Sequence, residues 1–188
     1  MRLSIRSLAV LTVLVVCPSS VHAADQGLDG VEVMTATVFE KGQSSFSGVG
    51  LRARLKSGTL ASEVDVLPWI EYWRNATRID AFNLKATRRD ATIGCDVRWN
   101  FRAGNYRPYL GGGLGLHFLS AEVDAPGFDA ANESVTKGAF ALMTGLRMGE
   151  GDRFSEFIEL RYHALPSAGQ LKLHLGLSWN LGALSPPQ

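Results

Sequence analysis

The sequence predicts an all-β fold, an eight-stranded antiparallel up-and-down barrel that spans a lipid bilayer. Three observations carry this reading. Eight segments alternate apolar and polar residues with a period of two, and none has a helical period. Each is close to the roughly 9 to 11 residues a tilted strand needs to cross a bilayer. A row of three glycines lies on the charged face of one of them.

The chain of 188 residues opens with Arg2 and Arg6 before an apolar run from Leu8 to Val16, then Pro18, Ser19, Ser20 and a small-x-small site at Val21-His22-Ala23. That order is a secretory signal peptide cleaved after Ala23. The run is too short for a spanning helix. Val16 stands before Cys17 where a lipoprotein signal carries a small residue, so no lipid anchor is expected. The expected organisation is a signal peptide over 1–23 and one barrel domain over 24–188 with a short C-terminal tail. The remaining chain of about 165 residues has the length of one domain. Cys95 is its single cysteine, so no disulfide framework braces it. A formal charge of +1 argues against a nucleic-acid partner.

The first two strands are expected at Val31 to Glu40 and Phe46 to Lys56, the second setting Val49, Leu51, Ala53 and Leu55 against Gly50, Arg52, Arg54 and Lys56. The third runs from Glu63 to Trp73. Pro68 interrupts it, and Trp69 and Trp73 fall on its acidic side, which predicts a bulge that changes the register. The fourth, Arg89 to Arg102, contains "TIGCDVRWNF", with Ile93, Cys95, Val97, Trp99 and Phe101 on one face and Gly94, Asp96, Arg98 and Asn100 on the other. The fifth, Tyr106 to Ser120, sets Gly111, Gly113 and Gly115 opposite Leu110, Leu114, Leu116 and Phe118, with Tyr109 and His117 on the glycine side. Thr136 to Met148, Phe154 to His163 and Gln170 to Leu181 complete the set. The last places Leu171, Leu173, Leu175, Leu177, Trp179 and Leu181 against Lys172, His174, Gly176, Ser178 and Asn180.

The connections alternate in length: "RNATRIDAFNLKAT" and "AEVDAPGFDAANESV" are long, "SGTLAS", "AGN" and "GEGD" short. Outer-membrane barrels have longer outside loops and short periplasmic turns, which puts the long connections outside if the amino terminus is periplasmic.

Which face meets the surroundings decides the class. A soluble barrel buries its leucines and solvates its charges, whereas a barrel in lipid does the reverse. Glycine weakens a strand, so a row of three needs a steric reason. A narrow lumen crowded with long side chains supplies one; a watery surface does not. Ile93, Val97, Trp99, Leu173, Leu175, Leu177 and Trp179 are therefore expected to face lipid. Arg52, Arg54, Glu63, Asp65, Asp96, Arg98, Arg147, Glu159, Arg161 and Lys172 form the expected luminal ionic network, with Lys56 and Glu71 beside them. Mixed signs in a closed space neutralise one another, a plug rather than an ion pathway. Trp69, Tyr72, Trp73, Trp99, Phe101, Tyr106, Tyr109, Phe118, Phe154, Tyr162 and Trp179 are candidates for interfacial girdles.

Through the signal peptide, "YRPYLGGGLGLHF", "EFIELRYHAL" and "LKLHLGLSWNL", nearly all the mature chain resembles the small outer-membrane β-barrels of the OmpA/OmpX type. The resemblance implies a bacterial outer-membrane location, contact with outer-membrane lipid and lipopolysaccharide, and insertion by the barrel assembly machinery. Members commonly end on an aromatic residue. Here "GALSPPQ" follows the last strand, leaving Trp179 or Leu181 as an internal substitute.

The expected role is structural or surface-interacting, without catalysis, cofactor or metal. "GGLGLHFLS" and "ELRYHALPSAG" also resemble the lipid A deacylase barrels, and the alternative triad is Glu159, His163 and Ser167. A nucleophile needs a base in hydrogen-bond reach and an acid to orient it. His163 and Ser167 are four apart with Pro166 between, so nothing in the sequence brings them together. His117, His163 and His174 share the inner face, but without an i, i+2 ligand pair they read as members of the ionic network. Cys95 reads as a small hydrophobe on the lipid face. Asn75-Ala-Thr77 and Asn132-Glu-Ser134 match the glycosylation pattern and read as ordinary loop residues. The acidic loop with Phe128 could meet an external ligand. A narrow porin and a soluble periplasmic ligand-binding barrel are the remaining alternatives.

Overall fold

The computed structural model describes residues 26–57, 62–79, 84–124, 131–149, 153–166 and 169–181. Eight strands follow in chain order: β1 (Gln26–Glu40), β2 (Phe46–Ser57), β3 (Val64–Ile79), β4 (Leu84–Asn100), β5 (Tyr106–Asp124), β6 (Ala131–Met148), β7 (Phe154–Ala164) and β8 (Gly169–Asn180). Each pairs antiparallel with its neighbour, and β8 returns to β1 from Gly30↔Asn180 to Glu40↔Gln170, closing the barrel. Closure leaves no unpaired edge in the wall, which a bilayer requires of any sheet that crosses it. The expected signal segment and the residues beyond Leu181 lie outside the described residues.

The faces follow the alternation. Leu114, Trp99, Leu177, Leu110, Leu175, Leu142 and Val97 are all more than half exposed, while Arg52, Arg98, Glu159, Arg161 and Lys172 are at most 1% exposed. Leu173, Ile93 and Cys95 are partly exposed on the same outer face, and Trp179 is exposed. A surface of leucine around an interior of ions is unstable in water and stable in hydrocarbon, so the barrel is membrane-spanning. Two aromatic rings bracket the outer band. Near the described termini, Trp99 stacks on Phe101 and Phe154 on Trp179, at centroid separations of 6.5 and 6.1 Å. At the far end stand Tyr72, Phe140 and Tyr162. Phe154 and Tyr162 are eight residues apart on β7, about 20 Å along the axis at the usual strand rise and tilt, comparable with the apolar band of ~25 Å.

Three expectations are corrected. Pro68 introduces no bulge: β3 holds one register against β4 from Val64↔Trp99 to Ile79↔Leu84, and against β2 the ladder lapses opposite Ala53 and Arg54 and resumes unchanged. Proline removes one donor, which interrupts a ladder without adding a residue. The register shift lies in β1, between Leu28 and Gly30. Second, Trp69, Trp73 and Tyr109 are not girdle residues. They are 5%, 1% and 1% exposed and point into the lumen. The glycines make room: a Cβ at Gly94 would strike the Trp69 indole, and one at Gly145 the Tyr109 ring.

Third, the long connections are largely strand. Pairing of β3 with β4 continues to Ile79↔Leu84 and of β5 with β6 to Val123↔Ala131, and β4 stays paired with β5 to Lys85↔Asp124. On the flanks, pairing with β2 stops at Gly48↔Trp73 and with β7 at Phe140↔Ala164. Four strands thus leave the barrel together as a sheet. The backbone groups between its strands are satisfied by mutual pairing even where no face is apolar enough to alternate. Phe128, expected in a loop here, lies outside the described residues.

Candidate functional site

The polar interior and the projecting sheet are the two places where chemistry-bearing residues gather. The interior is layered. Nearest the described termini, Arg54 donates to Asp29 Oδ2 at 2.8 Å, Ser178 Oγ at 2.9 Å and Asn180 Oδ1 at 2.6 Å. Above it Glu32 accepts from three arginines: Arg147 at 2.6 Å, Arg98 at 2.9 Å and Arg52 at 3.1 Å. Asp65 accepts from Arg98 and from Asn100 Nδ2, both at 2.9 Å. In the next layer Glu159 accepts from Arg52 at 2.8 Å, the Tyr109 hydroxyl at 3.0 Å and Arg161 at 3.1 Å, while Arg161 also donates to Asp96 at 2.6 Å. Glu71 then takes Lys172 and His174.

Six cations (Arg52, Arg54, Arg98, Arg147, Arg161, Lys172) and six carboxylates (Glu32, Asp65, Glu71, Asp90, Asp96, Glu159) are buried, so the described lumen is electrically balanced. Aromatics interleave with the guanidinium groups. Arg98 lies 4.9 Å from the Tyr109 centroid, Arg161 5.0 Å from Trp69 and Arg52 5.8 Å from Phe157. A weakly hydrated planar cation tolerates such a surface better than an ammonium does. The row Gly111, Gly113 and Gly115 lines this space: a Cβ at Gly111 would meet Met143 and the Val97 carbonyl, at Gly113 the Cys95 carbonyl and Asp96, and at Gly115 the Trp69 ring at 3.1 Å.

Toward the far end a hydrogen-bonded chain runs Asp90, His117, His163. Asp90 Oδ2 is 2.6 Å from His117 Nδ1, and His117 Nε2 is 2.9 Å from His163 Nδ1. The carboxylate accepts, so Nδ1 of His117 donates; Thr92 also donates to Asp90 Oδ1 at 3.0 Å. Above the chain Trp73 packs on Phe46 with Val38 and Ala36, and Arg88 faces Glu40 at 3.5 Å, closing the mouth.

Glu63 is not in the network. It sits in the turn before β3, where its backbone carbonyl accepts from Asn100 N and Nδ2. A residue ahead of the strand has no side of the wall to point to. Lys56 is at the rim, its side chain 55% exposed and 3.4 Å from Asp29. Sequence reasoning missed Glu32 and Asp90: Glu32 is hidden because β1 puts Met34, Ala36 and Val38 on its inner face, and Asp90 because it stands at the start of the expected fourth strand beside Arg88 and Arg89. The candidate triad does not assemble around Glu159 and His163. Glu159 is spent on Arg52, Arg161 and Tyr109, and the partner of His163 is His117. Ser167 lies outside the described residues. His174 joins Glu71 rather than the other two histidines, and no group of three or more metal-ligating side chains forms among the described residues.

The projecting sheet has different chemistry. Arg74 and Arg89 are directly opposed on its outward side, Arg89 reaching Glu122 at 3.1 Å. On the axis side Val123 and Val135 are 39% and 43% exposed.

No protein-family model matches the chain, and no curated protein sequence does. Solved structures match in fold. Neisserial surface protein A aligns with TM-score 0.62 and 15% identity, over 83% of this chain and 99% of that one. Ail of Yersinia pestis, crystallised with the heparin analogue sucrose octasulfate, aligns with TM-score 0.60 and 17% identity, over 80% and 96%. The outer membrane enzyme PagL aligns with TM-score 0.50 and 12% identity, over 80% and 99%. The shared architecture is that of small bacterial outer-membrane barrels.

Proposed function

We propose that this is an outer-membrane surface protein whose plugged barrel is an anchor and whose projecting four-stranded sheet engages a partner outside the cell. The observation that carries this is the open edge of β6. Among the described residues, β6 over 131–139 pairs with a strand on its β5 side only, since its pairing with β7 begins at Phe140↔Ala164. Unpaired backbone donors and acceptors on an edge accept an added strand, and natural sheets normally cover or blunt them. The residues there, "ANESVTKGA", are small and polar, which keeps the edge soluble without hiding it.

The paired, balanced lumen supports an anchor over a porin, since ions would have to displace side chains that satisfy one another. The buried setting of His163 likewise supports a non-hydrolytic role: a lipid ester would have to cross the wall to reach it. The neighbour PagL is an enzyme, and its likeness to this chain is one of fold.

The test compares vesicles carrying the full chain with vesicles carrying a variant whose sheet is shortened to tight turns at Trp73/Asp90 and Phe118/Thr136. Binding to epithelial cell layers is measured, with the SDS mobility shift on boiling as a control for barrel closure. Loss of binding with the shift retained is the expected result. Equal binding by both proteins would remove the sheet from the function.

A further inference from the structure

On the outward side of the projecting sheet, register places Arg74 directly opposite Arg89. Like charges directly across an antiparallel pair repel. Arg89 shares its charge with Glu122 at 3.1 Å, with side chains 45% and 43% exposed. Arg74 is exposed and has no carboxylate partner among the described residues, while Lys85 is registered opposite Asp124 on β5. Arg88, the next residue along, points to the other side and is matched by Glu40. The unmatched charge is therefore confined to the side that faces away from the barrel axis.

Height identifies what lies there. Tyr72, 44% exposed, is the last aromatic of β3 on the lipid face, and its cross-strand neighbours Ala91 and Phe118 continue that level. Arg74 and Arg89 are the next outward residues. At the usual rise and tilt they stand about 5 Å above the ring, within a headgroup layer about 5 to 8 Å deep. A planar guanidinium pair suits the oxygens of a phosphate ester, which it can meet with two donors from each residue.

We propose that Arg74 and Arg89 form a binding site for phosphorylated lipid headgroups in the leaflet around the far end of the barrel. An anion between them turns a repulsive pair into a bridged one. The inference rests on the membrane orientation proposed above, but not on the open edge of β6.

The experiment uses the full chain in zwitterionic detergent, titrated with bisphosphorylated lipid A, enzymatically dephosphorylated lipid A, inorganic phosphate and soluble sucrose octasulfate. Native mass spectrometry counts bound lipid, and the boiling-shift midpoint reports stability. Expected is retention of the bisphosphorylated lipid over the dephosphorylated one by about tenfold, lost in Arg74→Ser/Arg89→Ser. The same double variant should show a sign reversal. Without lipid its midpoint equals or exceeds that of the unaltered chain, because repulsion is relieved; with the bisphosphorylated lipid it falls below. A purely structural role for the arginines would lower the midpoint in both conditions and overturn the proposal. So would equal retention of the two lipids, or retention of the octasulfate at the lipid's level, which would make the site one for soluble polyanions. The shift on boiling is read in every arm, so a failed lipid site remains distinct from a failed barrel.

Discussion

Within the barrel wall, β3 to β6 have hydrocarbon on one side and a crowd of ions on the other, so every second residue is committed. Beyond the rim the same four strands have hydrocarbon on neither side. The inner positions below it read Asp65, Leu67, Trp69, Glu71 and Trp73 on β3, each buried; above it, Asn75 is partly exposed and Thr77 exposed. The difference shows that alternation is a property of the environment rather than of the strand. A sheet can run on without it wherever neighbouring hairpins satisfy one another's backbone.

If the lumen is a single ionic unit, its most shared member should be the most costly to lose. Glu32 accepts from Arg147, Arg98 and Arg52, all buried. Glu32→Ala leaves three guanidinium groups short of an acceptor, and removing one partner of a buried pair costs about 3 to 5 kcal/mol. Unfolding by urea in micelles should show a loss of this size, several times that of Glu122→Ala at the exposed pair with Arg89, where ~0.2 to 1 kcal/mol is expected. Similar losses for the two would mean that the lumen is solvated and its ion pairs independent.

These contrasts also explain what could be read in advance. The eight strands, their order and the outward identity of Trp99, Leu175 or Leu177 were legible, because one apolar face writes itself into the sequence every second residue. The row at Gly111, Gly113 and Gly115 was legible as a steric demand, though not what filled the space. The inward turn of Trp69 was not, since it depends on Gly94 and Gly115 on strands distant in sequence. Nor were the ends of β3 to β6: "RNATRI" and "ANESVTKGA" carry no alternation to detect. Glu63 was misplaced for the same reason, as alternation was extended one residue past the point where the wall begins. Of the ionic network, the membership of Arg52, Asp96, Arg98 or Arg161 was visible from charge and parity, that of Glu32 and Asp90 was not, and no partnership was. Whether Glu159 serves His163 or Arg52 is settled by side-chain reach across the lumen.

Glycine offers the sharpest version of the comparison, because one substitution can be made in both regions. A Cβ at Gly113 would collide with the Cys95 carbonyl, Asp96 Oδ1 and the Asp96 Cα. Two of those atoms are backbone and cannot rotate away, so β4 and β5 must separate, and Gly113→Ala should cost about 1 to 3 kcal/mol by overpacking. At Gly138, exposed on β6 two residues beyond the last pair with β7, a Cβ meets nothing within 4 Å. Gly138→Ala should therefore stay within about 0.5 kcal/mol of the unaltered chain, with any change on the stabilising side as the unfolded chain loses freedom. Urea midpoints for both variants in the same micelles check the pair. A large loss at Gly138 would mean that this edge is covered by another part of the molecule, and an edge already covered has nothing to offer a partner strand.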